Sequence, residues 1–192
     1  MGNSIKFHLA NLTNFAGREG RRTFWLWVLA IAIINIVVSI AMSAMFTAGA
    51  VSAAMQSADM SDTAAIEAAV MQEMLPNMPT MIWAGVAMSL FNCAMMAAAF
   101  VRRLHDGGFP PLIVLVPLIA IASNLWFQIG QLSQIEELMQ AAMGAASAED
   151  LAGLQRDAGL VGLIGWIPLL VVAGFGLVKS KPENRWGPPP AD

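Results

Sequence analysis

Four long runs of apolar residues dominate the sequence, and none of them contains Asp, Glu, Lys or Arg. Each run exceeds the roughly 18 residues that a helix needs to cross a bilayer. Only 12% of the 192 residues are charged, about half the share in a soluble domain. The sequence therefore predicts one all-α membrane domain over residues 1–192, an integral four-helix bundle with spans at residues 24–46, 81–101, 109–129 and 159–178.

Basic residues lie at only one set of ends of these runs. Nine of the ten precede the first run, separate the second from the third, or follow the fourth: Lys6, Arg18, Arg21, Arg22, Arg102, Arg103, Lys179, Lys181 and Arg185. The longer loops, residues 49–80 and 130–158, contain nine of the 13 acidic residues together with Arg156. Because Lys and Arg near span ends stay in the cytoplasm, both termini are expected to be cytoplasmic and the acidic loops external.

The two external loops show helical rather than irregular patterning. Ile66, Val70 and Met74 recur at a spacing of four residues in the first loop, and Ile135 and Met139 do so in the second. Such spacing places apolar side chains on one face of a helix. The sequence thus predicts amphipathic helices outside the membrane.

Asn35, Asn92 and Asn124 lie within three different apolar runs. Because an unpaired amide is costly in hydrocarbon, they are expected to face other helices. Pro117 and Pro168 are expected to kink their spans. The asparagines themselves have two interpretations: they form hydrogen bonds between helices, or they line a polar track for a substrate. The second interpretation predicts a small transporter or channel subunit that acts as an oligomer. The absence of ionisable residues from the runs argues against proton coupling.

A polar turn, residues 102–108, separates the second and third runs. In a compact bundle its side chains would meet those that precede the first run and follow the last. The resulting candidate ligand-binding cluster comprises Arg18, Arg21, Arg22, Arg102, Arg103, His105, Asp106, Asn184 and Arg185.

Three interpretations of this cluster stay open. In the first, the charges set the orientation of the protein in the membrane and an Arg–Asp clamp joins the helix ends. In the second, the arginines bind a lipid headgroup or another phosphate. In the third, His105 acts as a base oriented by Asp106. Neither a nucleophile nor a set of metal ligands accompanies that pair, so no enzymatic activity, metal or cofactor is expected. Membrane lipids, a second copy of the chain or another membrane protein are the partners considered. Nucleic acid is not, because no basic domain stands outside the membrane.

Three segments, in order, resemble a bacterial membrane-protein family known as domain of unknown function 805. They are Phe15-x-Gly17-Arg18-x-x-Arg21-x-x-Phe24-Trp25, Arg102-Arg103-Leu104-His105-Asp106-x-Gly108 and Asn184-Arg185-Trp186-Gly187-Pro188. The resemblance covers nearly the whole chain. It implies an inner-membrane protein of no established biochemical activity. Phe109-Pro110-Pro111 replaces a Ser-Gly-Trp-like segment that is usual in the family, so no role is carried over to that segment.

Overall fold

The computed structural model describes residues 2–56, 63–143 and 166–190. These residues form helices and connecting turns, without a β-strand among them. Two short 3₁₀ helices, Leu75–Asn77 and Pro111–Val114, precede the fourth and fifth α-helices. The α-helices are α1 (Gly2–Ala10), α2 (Arg21–Gln56), α3 (Thr63–Met74), α4 (Met78–Gly107), α5 (Leu115–Met143) and α6 (Ile167–Leu177).

Three helical segments are long and apolar enough to cross a membrane: Arg21–Gln56, Met78–Gly107 and Pro111–Gly130. They contain the first two predicted spans and residues 111–129 of the third, and their length and composition are those of membrane-spanning helices. The described part of the predicted fourth span forms α6, an apolar helix of 11 residues. Residues 159–165 of that predicted span lie outside the described residues.

The turn between α4 and α5 stops α4 and delays the start of α5. Gly108 has a φ of +74°, a left-handed conformation that glycine adopts without steric cost. Its N–H donates to the carbonyl of His105 at 3.0 Å and caps α4. Pro110 and Pro111 follow, and a 3₁₀ turn over Pro111–Val114 delays the start of α5. The two helices therefore form a hairpin whose tip is the polar turn.

The predicted proline kinks are wrong for the described helices. Pro117 lies in the first turn of α5 and Pro168 in the first turn of α6, instead of in a helix interior. The first N–H groups of a helix have no intrahelical acceptor, so proline removes no bond there.

Helix also occurs in the predicted external loops. Helix α2 continues to Gln56, α3 covers residues 63–74, and α5 continues to Met143. Ile66 and Val70 are half-buried, as an amphipathic helix requires, but Met74 is exposed. Residues 57–62 and 144–158 of these loops lie outside the described residues.

The apolar core lies next to the polar turn. Helix α4 contacts α2 and α5, and α6 contacts α2, α4 and α5. Bulky side chains from α2 meet small and aromatic ones from α4 in a buried cluster. Trp27 of this cluster donates its indole N–H to the carbonyl of Met95 at 3.0 Å. The cluster comprises Phe24, Trp27, Ile31, Ala99, Phe100 and Leu104.

Candidate functional site

Three chain segments meet at the end of the molecule where α4 finishes. They are residues 11–20 before α2, residues 102–108 at the end of α4, and residues 178–187 after α6; together we call them the charged end. Backbone hydrogen bonds already join them, since Glu19 N–H donates to the Arg102 carbonyl at 3.3 Å and Lys181 N–H to the Asp106 carbonyl at 3.1 Å. The last turn of α4 is thus the centre around which the other two segments wrap.

Arg102 is buried and directs its guanidinium toward the N-terminal segment. Its Nε donates to Glu19 Oε2 at 3.0 Å, and its Nη1 donates to the carbonyl oxygens of Asn11 and Asn14. Its Nη2 lies 3.3 Å from His8 Nδ1. These contacts hold the segment before α2 against α4.

His8 and Glu19 belong to this network, although the sequence prediction did not include them. Both are buried, and His8 Nε2 lies 3.1 Å from Glu19 Oε1, outside hydrogen-bond geometry. The His8 ring also stacks on Trp27 with centroids 4.7 Å apart. A signal for Glu19 was present, since it is the only acid before the first apolar run.

Arg103 joins the other two segments. Its side chain donates to the carbonyl oxygens of Gly176 and Glu19, each at 3.3 Å, and to that of Val178. It also pairs with Asp106, one helical turn further along α4. Because Gly176 and Val178 end α6 and begin the tail, Arg103 fixes the end of α6 to that of α4.

Asp106 is fully buried and accepts bonds from three side chains. Arg18 approaches Oδ1 with its Nε at 3.1 Å and its Nη2 at 2.9 Å. Arg103 and the hydroxyl of Ser180 donate to Oδ2. Arg18 also donates to the carbonyl of Gly187 at 2.6 Å. One carboxylate thus joins all three segments, and Ser180 is a third residue, after His8 and Glu19, that the sequence prediction missed.

His105 contacts the tail through its ring and its carbonyl. Its Nδ1 lies 3.1 Å from the carbonyl of Gly17, so that nitrogen carries a proton and donates it. The ring stacks on Trp186 with centroids 3.6 Å apart and planes within 14°. The Asn184 amide donates to the His105 carbonyl at 2.9 Å, and Arg185 lies over the Trp186 ring at 4.9 Å.

The geometry of a His–Asp catalytic dyad is absent from the charged end. His105 uses Nδ1 for Gly17, and its buried Nε2 has no hydrogen-bond partner in the part of the chain that the structure describes. The Asp106 carboxylate is occupied by Arg18, Arg103 and Ser180. A general base needs an orienting partner within hydrogen-bond reach, and Asp106 does not supply it here.

The nine predicted site residues divide by exposure. Six meet in the network that joins the three segments: Arg18, Arg102, Arg103, His105, Asp106 and Asn184. Arg21 and Arg22, on the first turn of α2, are exposed, as is Arg185. The buried arginines already donate to protein acceptors, as the clamp interpretation requires. Only the exposed arginines present their guanidinium groups to the surroundings.

The asparagines form a second polar feature, far from the charged end along the helices. Asn35 and Asn92 exchange two amide hydrogen bonds of 2.9 Å, and Asn35 also donates to the Ile31 carbonyl at 2.8 Å. Asn124 accepts a bond from Gln128. All three asparagines line a cavity of about 810 Å³, which we call the interhelical cavity. Asn35 and Asn92 therefore bond across helices, Asn124 bonds within α5, and all three border a shared space.

Comparison with known proteins identifies a family and nothing closer. No curated protein and no solved structure matches the chain. The family described as "Protein of unknown function (DUF805)" matches residues 12–188. This range includes all of the charged end except Asn11. The chain therefore belongs to the DUF805 family of proteins of unknown function.

Proposed function

We propose that this chain is a non-enzymatic protein of the bacterial inner membrane whose charged end binds anionic lipid headgroups. In this proposal four helices span the membrane, α6 being the described part of the fourth, and both termini are cytoplasmic. The buried arginines hold the helix ends together, and exposed basic residues around them contact the headgroups. Each such residue near an anionic surface contributes about 1 kcal/mol of attraction.

The division of basic residues at the charged end carries the proposal. Arg18, Arg102 and Arg103 already form hydrogen bonds and ion pairs with buried partners in the protein. Six further basic side chains remain exposed on the segments of the charged end, on α1 and on the first turn of α2: Lys6, Arg21, Arg22, Lys179, Lys181 and Arg185. Glu183 is the exposed acid on the same segments. The accessible charge is therefore strongly positive, which favours an anionic surface over a neutral one.

Lipid binding is tested by replacing Arg21, Arg22 and Arg185 with Gln together. Native mass spectrometry of the purified protein would then compare retention of phosphatidylglycerol with that of phosphatidylcholine. At low salt the triple variant should lose up to about a hundredfold in phosphatidylglycerol affinity, because three charges of about 1 kcal/mol each are removed. Salt should reduce the difference by screening exposed charges.

Arg156→Gln is the matched control, because Arg156 is the one basic residue assigned to the opposite side of the membrane. It should leave phosphatidylglycerol retention at the wild-type value. Equal retention by the triple variant and the wild type would contradict the headgroup proposal. So would an equal loss in the control.

The proposed orientation has its own test in reporter fusions. Charge placement and an even number of spans both support cytoplasmic termini. A periplasmic reporter fused after Gln140 should be active, and the same reporter after Asp192 should be silent. The reverse pattern would overturn the orientation, and activity at both positions would exclude four spans.

An oligomeric transporter or channel subunit is the second candidate. The observation that favours it is that Asn35, Asn92 and Asn124 line one cavity instead of facing three separate interfaces. This candidate requires an oligomer and a flux of solute. Native mass spectrometry showing monomers only, together with no solute release from loaded proteoliposomes, would remove it.

A further inference from the structure

The interhelical cavity lies among the four apolar helices, away from the charged end. Its wall is contributed by α2, α4, α5 and α6 and by the turns before α5 and α6. A volume of about 810 Å³ falls in the range of small-molecule pockets, about 300–1,000 Å³. Ile36, Leu118 and Leu169 line it and are exposed, and all three belong to the apolar runs predicted to span the membrane. In a membrane the cavity therefore opens toward hydrocarbon instead of water.

The lining of the cavity is apolar, with a few amide and hydroxyl groups and without a charged residue among its described members. A carboxylate or phosphate placed there would find no counter-ion, and burying an unpaired charge is very costly. An apolar chain would replace lipid contacts at little cost. The cavity thus selects a neutral ligand, in contrast to the anionic headgroups proposed for the charged end.

Asn124 adds a polar requirement to this apolar wall. Its Oδ1 accepts a bond from Gln128, but its Nδ2 has no hydrogen-bond partner within the described part of the chain. The amides of Asn35 and Asn92 instead satisfy each other. Two N–H donors without an acceptor are unfavourable in hydrocarbon, where no water replaces the missing bond. Asn124 therefore lacks an oxygen acceptor that a ligand can supply.

We propose that the interhelical cavity binds a neutral lipid with a single long apolar chain, whose hydroxyl, ester or ketone oxygen accepts a hydrogen bond from Asn124 Nδ2. The apolar chain of the lipid packs against the cavity wall between α2 and α5. The hydrogen bond to its oxygen favours this ligand over a plain hydrocarbon. This site is independent of the charged end and of the anionic lipids proposed there.

Oleyl alcohol is the probe, and 1-octadecene and oleate are its comparisons. Native mass spectrometry of the detergent-purified full chain measures retention of each. The wild type should retain oleyl alcohol about three- to tenfold better than 1-octadecene, the selectivity expected from one hydrogen bond. Asn124→Leu should bind both equally. Preference for oleate over the alcohol would overturn the proposal, because a charged headgroup reports binding at the basic end.

Ala97→Phe tests the location of the ligand. Ala97 lines the cavity, so a phenyl ring there should occupy part of it, obstruct the ligand's chain and reduce oleyl alcohol retention at least tenfold. Ala94→Phe is the matched control, because Ala94 is exposed on the same helix and does not line the cavity. Retention by Ala97→Phe equal to that of the wild type, or an equal loss in Ala94→Phe, would show that the ligand binds elsewhere.

Cys93 provides a second readout that needs no variant and no folding control. It lines the same cavity and is the only cysteine in the chain. Oleyl alcohol should slow alkylation of the wild-type protein by N-ethylmaleimide several-fold, and 1-octadecene should slow it less. An alkylation rate that oleyl alcohol leaves unchanged would overturn the proposal.

Discussion

The charged end and the interhelical cavity are built from the same helices but by opposite means. At the charged end, Arg102, Arg103 and Asp106 are buried and bonded to partners from distant segments. Around the cavity, the Asn35–Asn92 amides form one cross-helix pair in a mostly apolar wall. Polar groups therefore determine the geometry of one region, and packing determines that of the other.

This difference has a physical cause. A buried charge needs several well-placed acceptors, so that few arrangements of the helix ends satisfy Asp106 and its arginines. Apolar side chains pack with little directional preference, and an amide pair in a membrane contributes only modestly. We therefore expect the charged end to tolerate substitution poorly and the cavity wall to tolerate it well. Four measurements test this contrast, in order of decreasing effect.

The largest effect is expected from Asp106→Ala. The change leaves Arg18 and Arg103 buried without their carboxylate, which should destabilise the fold by about 3–5 kcal/mol. Thermal unfolding of the detergent-purified protein measures it. Glu183→Gln removes an exposed acid from the same end and should stay within about 0.5 kcal/mol of the wild type. Equal melting of Asp106→Ala and Glu183→Gln would mean that the buried pairs do not hold the fold.

The next effect is a coupling between Glu19 and Arg102. Removing either residue leaves the other buried without the opposite charge of this pair, whereas removing both leaves neither charge. The double variant Glu19→Leu, Arg102→Leu should therefore be more stable than the sum of the single losses by about 1–3 kcal/mol. Chemical unfolding of all four proteins gives this double-mutant cycle. Additive losses would contradict a direct pair.

Gly108→Ala should cost about 1–2 kcal/mol, because alanine resists the left-handed conformation that caps α4. The aliphatic part of Lys181 lies 2.7 Å from the position of the new methyl group and must move, which a flexible side chain can do. Gly174→Ala is the control, since it lies within α6 with no atom within 4 Å of its new methyl group. That control should be neutral or stabilising, and a loss as large as that of Gly108→Ala would assign the cost to glycine replacement in general.

The smallest effect is expected beside the cavity. Asn35→Leu should cost about 0.6 kcal/mol and at most about 1.7 kcal/mol, the range for hydrogen bonds between membrane helices. Adding Asn92→Leu should recover part of this loss, because no amide is then left unpaired. The same thermal unfolding assay checks both. A loss in Asn35→Leu that equals the loss in Asp106→Ala would remove the contrast between the two regions.

The helices and the polar turn could be predicted from the sequence because they depend on local properties. Uncharged runs of membrane length indicated the spans, and three of them coincide with helices long and apolar enough to cross a membrane. Gly108 indicated the end of α4. The prediction of proline kinks was wrong, because proline kinks a helix only from its interior. Pro117 instead lies in the first turn of α5. Helix boundaries of this kind are set by small differences that periodicity does not resolve.

The partners of the charged residues could not be predicted in the same way. Arg102 bonds with Glu19 across 83 positions, and Ser180 bonds with Asp106 across 74. The sequence placed these residues at one end of the molecule but did not distinguish buried arginines from exposed ones. Arg102 and Arg22 carry the same charge, and yet one is enclosed and the other is open to the surroundings.

The sequence by itself determined that this is a helical membrane protein with a charged turn between two apolar helices, since hydropathy and charge act residue by residue. Only the tertiary structure decided that Arg18, Arg102 and Arg103 serve the fold, and that Asn124 borders a cavity where its amide nitrogen has no partner among the described residues. The reason is that burial and hydrogen bonding belong to the packed arrangement of several segments. An arginine side chain holds segments of the protein together where protein acceptors surround it, and it is available to bind a ligand where they do not.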